Sequence, residues 1–135
     1  MRILFISLLA AAAVARAATP APEGAEVYFI SPSDGAEVSS PVSVRFGLRN
    51  MGVSPAGHAA PNTGHHHLLL DLQELPSLQM PLPMSEQVVH FGGGQTEALI
   101  ELPPGTHTLQ LLLGDHAHQP HEPPVLSERI TITVR

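Results

Sequence analysis

The stretch "PVSVRFGLRN", Pro41 to Asn50, alternates without a break: Val42, Val44, Phe46 and Leu48 share one side, and Ser43, Arg45, Gly47 and Arg49 the other. Successive side chains of a strand point to opposite faces, so this pattern describes a strand with one face buried and one wet. The C-terminal run "LSERITITVR" (126–135) repeats it, with Ile130, Ile132 and Val134 on one face. Further short β-rich runs lie between: "EVYFI" (26–30), "HHLLLDL" (66–72), "TEALIEL" (96–102) and "THTLQLLLGD" (106–115). They are separated by Pro and Gly clusters such as "SPSDGAEVSSP" and "PPGT", which read as turns with restricted corners rather than helix caps. Only "LQELPSLQMPLPMSEQ" (72–87) stays open between a loop, an edge strand and one short helical turn, because its prolines at 76, 81 and 83 oppose anything longer. Six or seven short strands without a long helix predict an all-β fold, an immunoglobulin-like Greek-key β-sandwich of about seven antiparallel strands. An open or closed barrel is the alternative.

The beginning of the chain bears on its compartment. "MRILFISLLAAAAVARA" has a charged start at Arg2, an apolar core from Ile3 to Val14 and small residues at Ala15 and Ala17. These are the parts of a secretory signal peptide, with cleavage expected after Ala17. The apolar core is too short to span a bilayer as a stable helix, and no other segment is long and apolar enough to do so. Residues 1–17 are therefore expected to be a signal peptide, 18–24 ("ATPAPEG") a flexible leader or extended approach to the first strand, and 25–135 one domain. The expected location is periplasmic or secreted. The chain has no cysteine, which removes disulfides, thiolate ligands and a lipid anchor on cysteine. Losing Arg2 and Arg16 leaves four arginines against twelve acidic residues, a net charge of −8, which disfavours nucleic acid and anionic lipid as partners.

Six of the nine histidines stand at two strand ends, in "NTGHHHLLLDL" (62–72) and "GDHAHQPHEPP" (114–124). In the expected sandwich the loop before strand 66–72, the approach to strand 96–102 and the loop between the last two strands gather at one pole. That would bring His58, His65, His66, His67, His90, His116, His118 and His121 toward one end, with His107 at the other. Neutral imidazole is the commonest protein ligand for Zn(II), Cu(II) and Ni(II). Alternation puts His65 and His67 on one face, roughly 6.5 to 7 Å apart along the backbone, close enough to reach one ion. His65, His67, His116 and His118 are the leading candidate ligands, His90 and His121 the next, and Asp115 an orienting residue or a ligand. His66 should point the opposite way, as a buried histidine satisfied by a backbone carbonyl. His58 and His107 read as exposed or hydrogen-bonded residues.

Other features carry less chemistry. "FGGGQTE" (91–97) lacks the spacing and lysine of phosphate-binding loops and reads as a permissive turn. Met80 and Met84 in "MPLPM" could offer thioethers to Cu(I), though loop methionines more often pack. No G-x-S-x-G elbow and no cysteine nucleophile is present.

Taken together, "VYFISPSDGAEVSSPVSVRFGLRNMGVSPAG", "NTGHHHLLLD" and "HFGGGQTEALIELPPGTHTLQLLLGDHAHQPHEPPVLSERITITV" resemble a family of small exported bacterial proteins known as a domain of unknown function. Some members carry a rod-shape-determining label. The resemblance implies an exported immunoglobulin-like domain and no particular activity, and the rod-shape label conflicts with the lack of a transmembrane segment. Function has to come from the site. The leading expectation is a protein that binds a metal ion, copper or zinc, at a histidine-rich pole. A metal-dependent enzyme is one alternative, needing an open coordination position and a base such as Glu86, Glu97 or Glu122. A metal-free module that grips a cell-envelope protein or glycan is the other, although one Tyr and no Trp make a poor sugar platform.

Overall fold

The computed structural model describes residues 17–135, so all but the last residue of the expected signal peptide lies outside the described residues. Nine strands run in chain order: β1 (Glu26–Ser31), β2 (Glu37–Val38), β3 (Val42–Arg49), β4 (Gly52–Val53), β5 (Thr63–Leu70), β6 (Val88–His90), β7 (Glu97–Ile100), β8 (Gly105–Gly114) and β9 (Ile130–Val134). They form a three-stranded sheet in the order β1-β3-β7 and a larger sheet in the order β2-β9-β8-β5-β4, with β6 paired to β5. Three strands facing a sheet built on β9-β8-β5 is the immunoglobulin-like sandwich. The pairings β1·β3, β3·β7, β5·β6, β5·β8 and β8·β9 are antiparallel. The two-residue strands β2 and β4 depart from the expected all-antiparallel scheme, running parallel to β9 and β5. Both are short edge additions made where the chain turns past an existing strand, and neither needs a crossover of its own.

Alternation sorts the residues as the sequence predicts. Val42, Val44 and Phe46 of β3 and Ile130, Ile132 and Val134 of β9 are buried, while Ser43, Arg45, Thr131 and Thr133 face water. The buried faces meet in a core that also holds Val27, Leu68, Phe91, Leu109, Leu111 and Leu113. Each such side chain contributes about 1.5–3 kcal/mol on removal from water.

Strand β5 behaves differently, because Gly64 to Leu69 are all buried. Its inner face, with His66 and Leu68, packs on the core. Its outer face, with His65, His67 and Leu69, is roofed by two chain segments. Residues 72–87 contain no regular strand or helix and lay Leu78 and Leu82 over Leu69, Val88 and Leu112 in a second small core. Residues 115–126, between β8 and β9, cover the rest, bridging back through Gly114 to Pro120 and Leu112 to Leu126. Residues 19–21 run beside Glu122, with Ala21 N donating to Glu122 O and Glu122 N to Thr19 O, both at 3.0 Å, and a turn at 23–24 leads toward β1. At the far end of β8, His107 is held between Asp71 Oδ2 and Pro103 O, each 2.7 Å away.

Candidate metal centre

Position on β5 decides which histidines can meet. His65 and His67, two residues apart, emerge side by side on the outer face with ring centroids 4.5 Å apart. His90 of β6 is the direct cross-strand partner of His67, so it rises from the same face. His118 comes from the loop after β8, where a left-handed backbone (φ 61°) turns its ring onto the other three. Opposite His65 on β8 stands Gly114. A Cβ there would lie 2.5 Å from His67 Cε1 and 3.1 Å from its Nδ1, so the missing side chain is the space that the His67 ring occupies.

Three ring nitrogens surround that of His118. His118 Nδ1 lies 2.9 Å from His65 Nε2, 3.4 Å from His67 Nε2 and 3.0 Å from His90 Nδ1. The donor atoms of His65, His67 and His118 are all within 4.8 Å of one another and could hold a metal ion. Hydrogen bonding alone does not satisfy this arrangement. A ring nitrogen has one in-plane valence, occupied by a proton or by a lone pair, so His118 Nδ1 can complete at most one of its three contacts. Two nitrogens bound to one metal at about 2.0–2.1 Å, with angles of about 90° to 110°, sit about 2.9–3.4 Å apart, which is the range found here. His90 is further oriented by Pro83 O, 3.1 Å from its Nε2. A carbonyl only accepts, so Nε2 carries the hydrogen and Nδ1 of the neutral ring presents its lone pair to the cluster.

Protonation is suppressed where it would compete with a metal. Burial, then the neighbouring His118 and His90, push His65 down to about 4. His67 falls to about 2, through burial and then through His65, His90 and His118. His118 is lowered by burial and by His90. These imidazoles are neutral at pH 7 and offer lone pairs without first releasing a proton. With no thiolate and no carboxylate in direct contact, the donor set suits borderline transition metals rather than Mg(II) or Ca(II).

The remaining predicted site residues lie elsewhere. Asp115 is buried and turned into its own loop, where Oδ2 accepts from Thr19 Oγ1 (2.7 Å) and Oδ1 from the amides of Ala117 (2.8 Å) and Gln119 (3.1 Å). Burial works to raise its carboxyl, but these hydrogen bonds outweigh it and hold the group below its ordinary range. His121 is buried beside Gly64, with Nε2 3.2 Å from Thr63 O. His116 is half-buried outside the triad, and its carbonyl accepts from Gly57 N (2.8 Å). His58 is exposed. The eightfold convergence at a pole therefore reduces to four rings on the outer face of the larger sheet, because strand parity turns His66 inward and the loop directs His116 and His121 away.

His66 departs from expectation in a second way. Its ring packs against Phe46, centroids 5.0 Å apart, and is pushed down to about 4 by burial. Neither ring nitrogen has a partner, where a backbone carbonyl was expected. Sequence reasoning also missed Gly114 and the roof that carries Pro83. A glycine ending a leucine-rich strand is the one available hint of close approach there.

No curated protein and no solved structure matches this chain. Residues 44–135 match the family model described as Domain of unknown function (DUF4399), and the chain belongs to that family.

Proposed function

We propose that this protein binds a transition-metal ion, copper or zinc, through His65 Nε2, His67 Nε2 and His118 Nδ1, with the His90 ring beside His118. The observation that carries the reading is the crowding of His65 Nε2 and His67 Nε2 within 3.4 Å of His118 Nδ1, which one valence cannot satisfy and one cation can. The signal-like start of the chain supports a reading in which the protein would carry or buffer the ion in the periplasm or outside the cell.

Calorimetric titration of the purified, untagged protein with Zn(II) and Cu(II) at pH 7 tests this. One equivalent should bind with submicromolar affinity, lost in His65→Ala/His67→Ala and in His118→Ala, and kept in His116→Ala. Equal binding by all these variants would overturn the assignment of ligands, and no binding by the wild type would overturn the function.

A further inference from the structure

The loop that carries His118 is held by a segment outside the donor set. Thr19 Oγ1 donates to Asp115 Oδ2 at 2.7 Å. Pro20 forms a parallel bridge with Glu122, flanked by the two backbone hydrogen bonds that Glu122 shares with Thr19 and Ala21. The segment 19–21 therefore spans both ends of the loop, Asp115 where it leaves β8 and Glu122 where it turns back, with His118 between them. Within the loop, Asp115 N donates to Gln119 O (2.8 Å) and His118 N to Asp115 O (2.9 Å).

We infer that the segment 19–21 is a strap that presets the metal loop, with Thr19 a positioning residue that acts on His118 through Asp115. The inference rests on the metal reading above. His118 holds a left-handed backbone, a conformation that persists in a non-glycine residue only where its surroundings over-determine it. Here the surroundings are the Asp115 carboxylate and its amide donors on either side of His118. One carboxylate oxygen shapes the loop by accepting from Ala117 and Gln119, and the other is committed to Thr19. Asp115 is only 2 % exposed, so an Oδ2 deprived of the Thr19 hydroxyl has little water to turn to. The carboxylate then draws donors from the loop, and the bonds fixing His118 are the nearest supply. A ligand set early needs no ordering when the ion arrives, and loss of such outer partners typically weakens metal binding by roughly 10–100-fold.

The test compares wild type, Thr19→Val and Thr19→Ser by Zn(II) competition titration against a chromophoric chelator. The Cu(II) electron paramagnetic resonance spectrum and thermal unfolding in chelator are recorded for each. Thr19→Val should bind roughly 10-fold more weakly, toward the low end of outer-partner losses, with altered Cu(II) hyperfine splitting. Thr19→Ser, which keeps the hydroxyl, should restore both while the metal-free unfolding temperature barely changes. Wild-type affinity and spectrum in Thr19→Val, or a Thr19→Val chain unfolded in chelator, would overturn the strap. Failure of the wild type itself to bind would instead remove the metal reading, and the two failures are separable in one experiment.

Discussion

Replacing Gly114 by alanine tests the geometry of the centre without touching a ligand. The new Cβ would start 2.5 Å from His67 Cε1, whereas non-bonded carbons rest at about 3.5–4.0 Å. The ring must therefore retreat by about 1 Å. It has little room, because it is fully buried with the His65 and His90 rings 4.5 and 4.4 Å away. Overpacking of this kind costs about 1–3 kcal/mol, or roughly 4–8 °C of unfolding temperature per kcal/mol in a small domain. A metal–nitrogen bond tolerates only about 0.2 Å, so on the proposed ligand set the same 1 Å would take Nε2 out of coordination. We expect Gly114→Ala to fold, to melt several degrees lower in chelator, and to bind Zn(II) at least 10-fold more weakly in competition titration. Gly52→Ala is the control, since its Cβ would meet only Thr63 Cγ2 at an ordinary 3.5 Å. Wild-type affinity in Gly114→Ala would refute the claim that this glycine seats His67.

Three further outcomes follow from the same residues. Because His65, His66 and His67 are all lowered from 6.5, the unfolded chain takes up protons there first as pH falls. Stability from these groups is complete above about pH 6.5 and is lost below it, by up to about 1.4 kcal/mol per histidine per pH unit. Denaturant unfolding in chelator should show a steep decline between pH 6.5 and 5, and a flat profile would contradict the burial of these rings. Zn(II) at a hundredfold excess over Kd should add about 2.7 kcal/mol, visible as a higher unfolding temperature that chelator reverses and that His65→Ala/His67→Ala lacks. His107 is raised, chiefly by its hydrogen bond to Asp71, so its contribution is present below the unfolded value and lost as pH rises through the folded one. Asp71→Asn should therefore cost more stability at pH 6 than at pH 9, because the amide oxygen can still accept from Thr108 N while the amide nitrogen cannot accept from a protonated His107. An equal deficit at both pH values would exclude an ion pair.

The sandwich was legible because its half-buried strands announce themselves: Val42, Val44 and Phe46, and again Ile130, Ile132 and Val134, leave little choice of face. Parity likewise places His65 and His67 together and turns His66 away. What alternation cannot report is the roof. Residues 72–87 are irregular and proline-rich, and nothing in "MPLPM" says that Leu82 N will reach His118 O or that Pro83 O will orient His90. The divergence of His116 from His118 is equally invisible, since it depends on one left-handed residue and on the hydrogen bonds of Asp115. One of those bonds is long-range in sequence, since Thr19 lies 96 residues from its partner.

The triplet of histidines followed by a triplet of leucines has one more consequence. Most strands carry their own address: slide them by one residue and polar groups enter the core, so the error is expelled. In β5 a slide by one replaces histidine with histidine and leucine with leucine along half of its length, and both faces of the strand are buried from Gly64 to Leu69. The information that fixes the pairing His65–Gly114 and His67–Leu112 is therefore not held by the histidines and leucines themselves. It resides in the two glycines that admit a ring from one side only: Gly114, filled by His67, and Gly64, whose Cβ would strike Gly114 O at 2.7 Å and His121 Cε1 at 2.8 Å. Shape here does the work that polarity does elsewhere, and the strand that supplies two candidate ligands is aligned by residues with no side chain.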